Sequence, residues 1–521
     1  MRKHIGFHLS ATFVLLSALV ACSAVWGEQI DECPYAGKCE TGGAGGSGGS
    51  PSGGSSGQGG TSSGSGGTGG DGGIAGTSGS AGEAGGGGGD CDETKSPLEE
   101  TCLVSSEYAI FVAPSGDDGA AGSKAAPVAT LTKAVELAAD DKIVIVCNAE
   151  YDEHVEIKKG ARVYGGFSCS DWSTDADSPL FKPSSAGAAL KIDEIDVEVV
   201  IENVAFEVPD AMGAGASAVS AIVNASPNVT LRSVSLKAGK GLAGDDGTLM
   251  EFTYSPASEL NGYGEADAEN GASKTCACQG TLKTSGGIGG APVDGGQNGS
   301  TGQPNHGGGQ GGIPGSCSPD GGGKDGFEAP DQGPADGAQT LGTASPDAWL
   351  PTPGGNGATG QPGQGGGGGA SRNDLGHGGG GGCGGCGGNG GAGGQGGGGS
   401  IALLLIDSPI TLESCTLTTS DAGDGGNGAA GQPGQQEVGS GGLPISTLNS
   451  CGGGNGGKGG DGGAGGGGAG GISVAIVWRG ETAPTVSDDT MTTFGEAGLP
   501  GEGGAADNDG IAGVAQEVLE L

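Results

Sequence analysis

The sequence predicts an all-β protein: a short parallel β-helix, that is, a solenoid of stacked strand coils, with one short helix near its start and long glycine-rich insertions. The first observation is a repeat, because eight-residue segments that begin at Val199, Val229 and Ile410 align without gaps. The second is that each segment has apolar residues at positions one, three, six and eight, which predicts two strands joined by a corner. The third is that glycine-rich runs separate these coils.

The elements before the repeat follow in order from Tyr108. Apolar alternation and helical spacing predict a strand at 110–112, a helix at 132–139, and strands at 142–146, 155–157 and 161–167. Further strands at 218–223, 401–406 and 472–477 precede or echo the later coils. A sandwich of antiparallel strands also uses short alternating strands, but it explains neither the in-register repeat nor the Asn or Ser at the corner.

Two motifs add a family resemblance. The run from Val112 to Asp117 reads Val-Ala-Pro-Ser-Gly-Asp, and the run from Val163 to Phe167 reads Val-Tyr-Gly-Gly-Phe. With the helix and strand between them, they resemble the first coils of pectate-lyase-like right-handed parallel β-helix proteins over residues 108–240. The resemblance implies a right-handed, single-stranded solenoid and a role with polysaccharides.

The glycine-rich insertions consist largely of triplets with two glycines and one variable residue, as in 387–395 and 456–464. A left-handed extended helix has three residues per turn, so the bare edges of such helices can pack side by side as polyglycine II. Glycine also has the largest entropy to lose on ordering, so the sequence leaves disorder open as the alternative. The texture resembles the glycine-rich repeats of PGRS-type bacterial surface proteins.

The amino terminus has the pattern of an export signal. Arg2 and Lys3 precede an apolar stretch too short to span a bilayer, which ends at Leu19-Val20-Ala21-Cys22. That ending resembles a lipobox, which implies cleavage between Ala21 and Cys22 and a lipid on Cys22. Ser23 then favours sorting to the outer membrane, where the mature chain is lipid-anchored on the periplasmic or cell-surface face.

Cysteine usage agrees with export, because 14 cysteines in such a chain indicate a disulfide framework. On a three-residue helix, Cys383 and Cys386 stand about 9 Å apart, beyond disulfide reach, so we expect each to bridge to another chain. We expect no metal or redox site at this pair, and we expect Cys415 to be a free thiol in the core. The candidate disulfide cysteines are Cys33, Cys39, Cys91, Cys102, Cys147, Cys169, Cys276, Cys278, Cys317, Cys383, Cys386 and Cys451. Within this set we expect Cys91 with Cys102 and Cys147 with Cys169, and we favour Cys276, Cys278 and Cys317 as partners of Cys383 and Cys386.

The chain therefore divides into a series of segments. They are a signal peptide at 1–21, a lipidated terminus with a small cysteine loop at 22–40, a flexible Gly/Ser-rich tether at 41–90, the first part of the β-helix at 91–240, a glycine-rich insertion at 241–399, a coil at 400–420, a second insertion at 421–471, and the last coil with the C-terminal segment at 472–521.

Composition and the outward rows of the repeat limit the function. A net charge of -40 excludes nucleic acid and anionic lipid surfaces as partners. The outward positions carry no ionisable residue: they are Val200, Thr230, Thr411, Ala205, Ser235 and Thr416. We therefore expect a non-enzymatic, surface-displayed lipoprotein without a cofactor, which serves envelope structure, adhesion or contact with extracellular matrix. The alternative is a protein that binds or degrades polysaccharide.

Overall fold

The computed structural model describes residues 91–139, 142–264, 271–294, 296–372, 375–444 and 450–521. The predicted export signal, the lipidation site Cys22, the cysteines Cys33 and Cys39 and the tether at 41–90 lie outside these residues. Throughout the described ranges, no helix is both long enough and apolar enough to cross a membrane.

The strands before the first long insertion are β1 (Ala109–Val112), β2 (Ile143–Cys147), β3 (Glu150–Tyr151), β4 (Val155–Ile157), β5 (Ala161–Phe167), β6 (Leu180–Phe181), β7 (Leu190–Asp193), β8 (Val199–Glu202), β9 (Ala205–Glu207), β10 (Ala218–Asn224), β11 (Val229–Arg232) and β12 (Ser235–Lys237). The later strands are β13 (Thr275–Ala277), β14 (Lys283–Ser285), β15 (Gly342–Ala344), β16 (Trp349–Pro351), β17 (Ser400–Ile406), β18 (Thr411–Glu413), β19 (Thr416–Thr418), β20 (Ser473–Arg479), β21 (Thr485–Val486), β22 (Met491–Thr493) and β23 (Ala515–Glu520). The helices are α1 (Leu131–Leu137) and α2 (Ala257–Leu260), with short helical turns at Thr101–Leu103 and Cys317–Gly321.

Three parallel sheets form the solenoid. The first sheet has the order β1-β2-β5-β8-β11-β18-β21, the second β4-β7-β10-β17-β20-β23, and the third β3-β6-β9-β12-β19-β22. Each coil contributes one strand to each sheet in the order third, second, first, and the next coil stacks upon it. The chain is therefore an all-β parallel β-helix, as the repeat predicts.

The register of the coils is the register of the sequence repeat. Val229 pairs with Val199, and Leu231 pairs with Ile201 on one side and Leu412 on the other. The corner residues Asn203, Ser233 and Ser414 have φ of 56°, 50° and 52°. Asn is among the few residues that adopt this left-handed conformation readily, which suits Asn203 to its corner.

Inward side chains of successive coils stack upon one another. In the third sheet, Tyr151 lies 4.8 Å from Phe181, and Phe181 lies 5.4 Å from Phe206, measured between ring centroids. Burial of each phenylalanine stabilises the fold by about 2 to 3 kcal/mol. The core is thus a continuous ladder that no single coil could form.

Helix α1 packs at the start of the solenoid, against β1 and β4. It begins one residue before the predicted helix and ends two residues earlier. The Thr130 hydroxyl accepts the Lys133 N–H, and the Glu153 carboxylate accepts the N–H groups of Leu131 and Thr132, each at 2.9 Å. These caps satisfy the free donors of the first turn.

The glycine-rich insertions, which we call excursions, all leave the solenoid at one corner. This corner lies between a strand of the third sheet and the next strand of the second sheet. The excursions follow β12, β19 and β22 and return at β17, β20 and β23. Neighbouring excursions begin side by side, because Gly241 donates to the Asp421 carbonyl and Ala422 to the Glu496 carbonyl. The last excursion, at 494–514, falls within the segment that the sequence analysis assigned to the final coil and terminus.

Six stretches of these excursions pack against one another. We call them the glycine bundle: residues 240–263, 352–371, 378–399, 421–442, 451–471 and 496–504. Stretch 378–399 lies beside 451–471 and donates to it at every third residue, through Gly385 to Gly457, Gly388 to Gly460, Gly391 to Gly463 and Gly394 to Gly466, at 2.9 to 3.0 Å. Antiparallel neighbours bond to the same stretch with the same period, as in Gly388 accepting from Gly360 and Asn389 accepting from Gln432.

The separation of the stretches leaves no room for side chains at the buried glycines. A Cβ at Gly462 would lie 2.1 Å from the Asn389 carbonyl oxygen, and one at Gly384 would lie 2.1 Å from the Gly363 carbonyl oxygen. Real Cβ atoms do not approach backbone so closely. Glycine is therefore required at these positions by contact between backbones.

The first long excursion also folds back onto the solenoid. Trp349 of the β15–β16 hairpin is buried against the outer face of the second sheet, where it joins Ile401, Leu404 and Val474 in one apolar cluster. Strand β17 is buried on both faces as a result. Its neighbours in the sheet, β10 and β20, are likewise buried along all but their last residue, and Trp349 contributes an apolar side chain to the outer face of these strands.

Candidate functional site

The outward rows of the repeat are half-buried and carry only Val, Ala, Ser and Thr. They offer hydroxyl groups and methyl groups, but neither the acid and base pair of glycoside cleavage nor a metal-binding row. The ionisable side chains that follow on the third sheet are paired, because Lys182 and Lys237 each form a salt bridge with Glu207.

The charged residues at the corner form a ladder. The Arg232 guanidinium lies 3.0 Å from a Glu202 carboxylate oxygen and 2.7 Å from a Glu413 carboxylate oxygen, so it joins three coils. The hydrogen bonds that Arg232 donates to Glu413 and Glu202 raise the pKa of Arg232. Glu202 is buried and also accepts from the Ser96 hydroxyl at 3.1 Å. Each charge has its partner within the ladder, so the row stabilises the stacking of the coils.

The cysteines of the described residues form five disulfides and one thiol. The bridges are Cys91–Cys102, Cys147–Cys169, Cys276–Cys383, Cys278–Cys386 and Cys317–Cys451. The first two tie down the start of the solenoid, and the other three join parts of the excursions that are far apart in sequence. Cys451, rather than Cys383 or Cys386, is the partner of Cys317.

The bridges leave no thiolate at the Cys383-Gly384-Gly385-Cys386 motif. Cys383 and Cys386 are each bonded to a neighbouring segment, so they do not pair with each other. Among the described residues, no group of three or more His, Cys, Asp or Glu is placed to hold a metal ion. The free thiol is Cys415, which is buried at the inward position equivalent to Val204 and Val234, and burial raises its pKa.

The last coil carries two adjacent acids, Asp488 and Asp489, and the second of them is bonded to its corner. Asp489 accepts hydrogen bonds from the hydroxyls of Ser414 and Ser487, each at 2.5 Å. These bonds lower the pKa of Asp489. Because both donors belong to corners of adjacent coils, Asp489 closes the final turn of the solenoid.

Many acids of the glycine bundle likewise accept backbone N–H groups from the next stretch. The clearest series runs along one outer stretch, where Glu496 donates to Asp421 at 3.2 Å, Leu499 to Asp424 at 2.7 Å and Glu502 to Asn427 at 2.8 Å. The ammonium of Lys240, 3.0 Å from Asp421, is the main cause of that carboxylate's lowered pKa. The regular acids of the triplets are therefore part of the packing between stretches.

One part of the bundle differs from the rest. In stretch 240–263, the triplet glycines stop after Gly247, and residues 248–261 contain no glycine. The larger side chains there leave a groove of about 430 Å³ beside stretch 421–442, lined by Glu251, Tyr254, Pro256, Pro433, Gln436 and Glu437. We call this the Tyr254 groove. Burial raises the pKa of Tyr254 to about 12.

The sequence analysis missed this groove, although the signal was present. The run Glu251-Phe252-Thr253-Tyr254 places two aromatic residues inside a glycine-rich insertion, and aromatic residues make up only 4% of the chain. An aromatic pair in such surroundings interrupts the packing, and an interruption is where a concave surface can form.

One family model matches part of the chain, within the first coils of the solenoid. A family model described as "Protein of unknown function (DUF1565)" matches residues 114–169, which include most of the Val112–Asp117 motif and all of the Val163–Phe167 motif. No curated protein matches the chain.

Two solved structures are similar to part of the chain. One is the GH136 lacto-N-biosidase from Eubacterium ramulus, at 12% identity and a TM-score of 0.20, over 25% of this chain and 27% of that chain. The other is a rhamnogalacturonan lyase, at 15% identity and a TM-score of 0.18, over 25% of this chain and 36% of that chain. The chain thus spans about a third or less of the structures that it matches.

Proposed function

We propose that this chain is a non-enzymatic, lipid-anchored surface protein of the outer membrane, with a structural or adhesive role in the cell envelope. The observation that carries the proposal is the glycine bundle, an ordered body of backbone hydrogen bonds that leaves three successive coils at one corner. Such a body presents its edges and its far end to the surroundings. A body of this kind is suited to presenting a surface for contact with other molecules, rather than to converting a substrate.

The three-residue period of the hydrogen bonds supports polyglycine II packing in the bundle. At about 3.1 Å per residue, stretch 378–399 reaches roughly 70 Å from end to end. Triplets with two glycines bring two edges of a helix against neighbours and present the third. The disulfides Cys276–Cys383, Cys278–Cys386 and Cys317–Cys451 hold this arrangement against fraying.

Anchorage completes the proposal. The lipobox at Cys22 and the tether at 41–90 would hold the solenoid at a typical distance of roughly 40 Å from the membrane, the root-mean-square span of a flexible chain of about 50 residues. Several acyl chains on one cysteine hold a protein firmly to a bilayer. The Cys33–Cys39 loop would lie between the anchor and the tether.

The test is display and adhesion in a bacterial host. Cells that produce the full chain should incorporate labelled lipid into it, lose its bundle to external protease only after reduction, and adhere to matrix or polysaccharide coatings. A Cys22→Ala variant should release the protein into the soluble fraction, and Ser23→Ala, which leaves the lipidation cysteine in place, should still carry lipid. A protein that stays unlipidated in the periplasm and confers no adhesion would refute the proposal.

The alternative is a polysaccharide-degrading or polysaccharide-binding protein of the pectate-lyase-like class. Incubation of the oxidised mature chain with acidic and neutral polysaccharides, with and without calcium, separates the two. Release of unsaturated or reducing ends would establish an enzyme, whereas retention without cleavage would establish a binding protein.

A further inference from the structure

The Tyr254 groove exists because two buried glutamines take the place of a missing backbone contact. The side chain of Gln432 accepts the Phe252 N–H at 2.9 Å and donates to the Phe252 carbonyl at 2.7 Å. Gln435 donates to the Ser255 carbonyl at 2.6 Å. Both glutamines are more than nine-tenths buried. They hold the two stretches apart at a fixed distance, where glycines elsewhere let the backbones touch.

The same glutamines are fixed from below by the central stretch of the bundle. Gln435 accepts the Cys386 N–H at 3.1 Å, and Gln432 accepts the Asn389 N–H at 3.3 Å. Cys386 itself is held by its disulfide. The floor of the groove is therefore rigid before any ligand arrives, which lowers the entropy cost of binding.

Tyr254 is oriented in the wall of this groove. Its hydroxyl donates to the Pro433 carbonyl at 2.6 Å, and its ring meets Phe252 edge to face with centroids 5.7 Å apart. The hydroxyl is thus occupied by the protein. With Pro256 and Pro433, the ring supplies the apolar part of the lining.

The polar part of the lining consists of exposed acceptors. Glu251 and Glu437 bring two carboxylates, and Gln436 brings an amide. A second depression of about 250 Å³ lies against Thr248 and Met250 of the same stretch, with Asn356, Thr359 and Asn389 in its wall. Further amides and hydroxyls therefore lie a few residues away along the stretch.

We propose that the Tyr254 groove binds a neutral oligosaccharide. The C–H face of a sugar ring packs on tyrosine and proline, and its hydroxyls donate to carboxylate and amide oxygens. A volume of about 430 Å³ falls in the range of small-molecule sites, which runs from about 300 to 1,000 Å³. The two carboxylates repel acidic polysaccharides, so neutral glycans are selected. This inference rests on the proposed adhesive function and names its ligand class and its site.

The experiment is a binding series with the oxidised mature chain against panels of neutral and acidic oligosaccharides, followed by titration calorimetry. We expect binding to a neutral member, a loss of at least tenfold in Tyr254→Ala, and a smaller loss in Tyr254→Phe, which keeps the ring. Phe494→Ala, which truncates a partly exposed aromatic residue on the last coil, is the matched control and should bind as the parent does. Glu437→Gln, a substitution at an exposed position, should weaken binding several-fold without affecting the fold.

Three results would refute binding of a neutral glycan in the Tyr254 groove. They are binding of no neutral glycan, binding confined to acidic glycans or to cationic peptides, and equal binding by Tyr254→Ala with an intact disulfide pattern. Results on cells distinguish failure of the proposed adhesive function from failure of the proposed binding site. Cells whose Tyr254→Ala chain adheres as strongly as the parent keep the adhesive function and refute the groove. A chain that is never displayed refutes the adhesive function, whatever the purified protein binds.

Discussion

Substitution of Gly462 by alanine should destabilise the glycine bundle strongly. The new Cβ would lie 2.1 Å from the Asn389 carbonyl oxygen, where ordinary contact begins at 3.4 Å, so two central stretches must move apart by more than about 1 Å. That movement breaks the 3.0 Å bond that Gly391 donates to Gly463 and loosens the bonds that Gly388 donates to Gly460 and Gly394 to Gly466. Three bonds at about 1 kcal/mol each give a loss of about 3 kcal/mol in the free energy of unfolding.

The control is Gly333→Ala. Gly333 is exposed, and a Cβ there would meet nothing within 4 Å. Its effect should therefore stay within about 1 kcal/mol, with the sign set by the unfolded chain. Chemical denaturation and limited proteolysis of the two purified variants measure the difference. Equal stability of both variants would refute close backbone packing as the reason for the glycines.

The remaining predictions concern the bridges, the last corner and the core thiol. Replacement of both Cys317 and Cys451 by serine should lower stability by about 4 kcal/mol and open the bundle to protease, since the bridge closes a long loop. Hydrogen bonding lowers the pKa of Asp489, so its stabilisation is present at neutral pH and disappears as the pH falls through that lowered pKa. Melting temperatures of Asp489→Asn and the parent should therefore differ at pH 7 and converge in strong acid. Cys415 should resist alkylation in the native chain and react once unfolded, and an alkylation rate like that of a free thiol would contradict its burial.

The coils were predictable because the sequence pattern that specifies each coil is local and recurs from coil to coil. Strand alternation gives the inward face, the fixed spacing of the repeat gives the register, and the corner residue gives the turn. Strand β17 shows the limit of that approach. Its outward apolar side chains pack in one cluster with Trp349, which comes from a hairpin about 50 residues earlier, and no pattern within the strand reveals that partner.

The glycine-rich triplets of the bundle were predictable from the sequence, but the number of stretches that belong to the bundle was not. Central stretches such as 378–399 have two or more glycines in most triplets, and these are conspicuous in the sequence. The outer stretch 496–504 has a single glycine in each of its first two triplets, Gly498 and Gly501, and two only in its last, because it approaches the bundle along one edge. The number of glycines per triplet therefore reports how many neighbours a stretch has, and a search for triplets with two glycines overlooks the outer ones.

The Tyr254 groove could not be predicted in the same way. Gln432 and Gln435 read in the sequence as ordinary variable residues of a triplet. Their role depends on stretch 240–263, about 180 residues earlier, which lies beside them only in the folded chain. The aromatic interruption marks that something changes, but only the fold shows that a concave surface results.

Native-state amide hydrogen exchange of the oxidised mature chain shows directly whether the glycine bundle is ordered. We expect strong protection in the stretches 378–399 and 451–471, comparable to that of strands β17 and β20, and loss of that protection in the bundle alone after reduction. Exchange at the rate of an unstructured chain in both stretches, beside protected β17 and β20, would show that the bundle is not an ordered body.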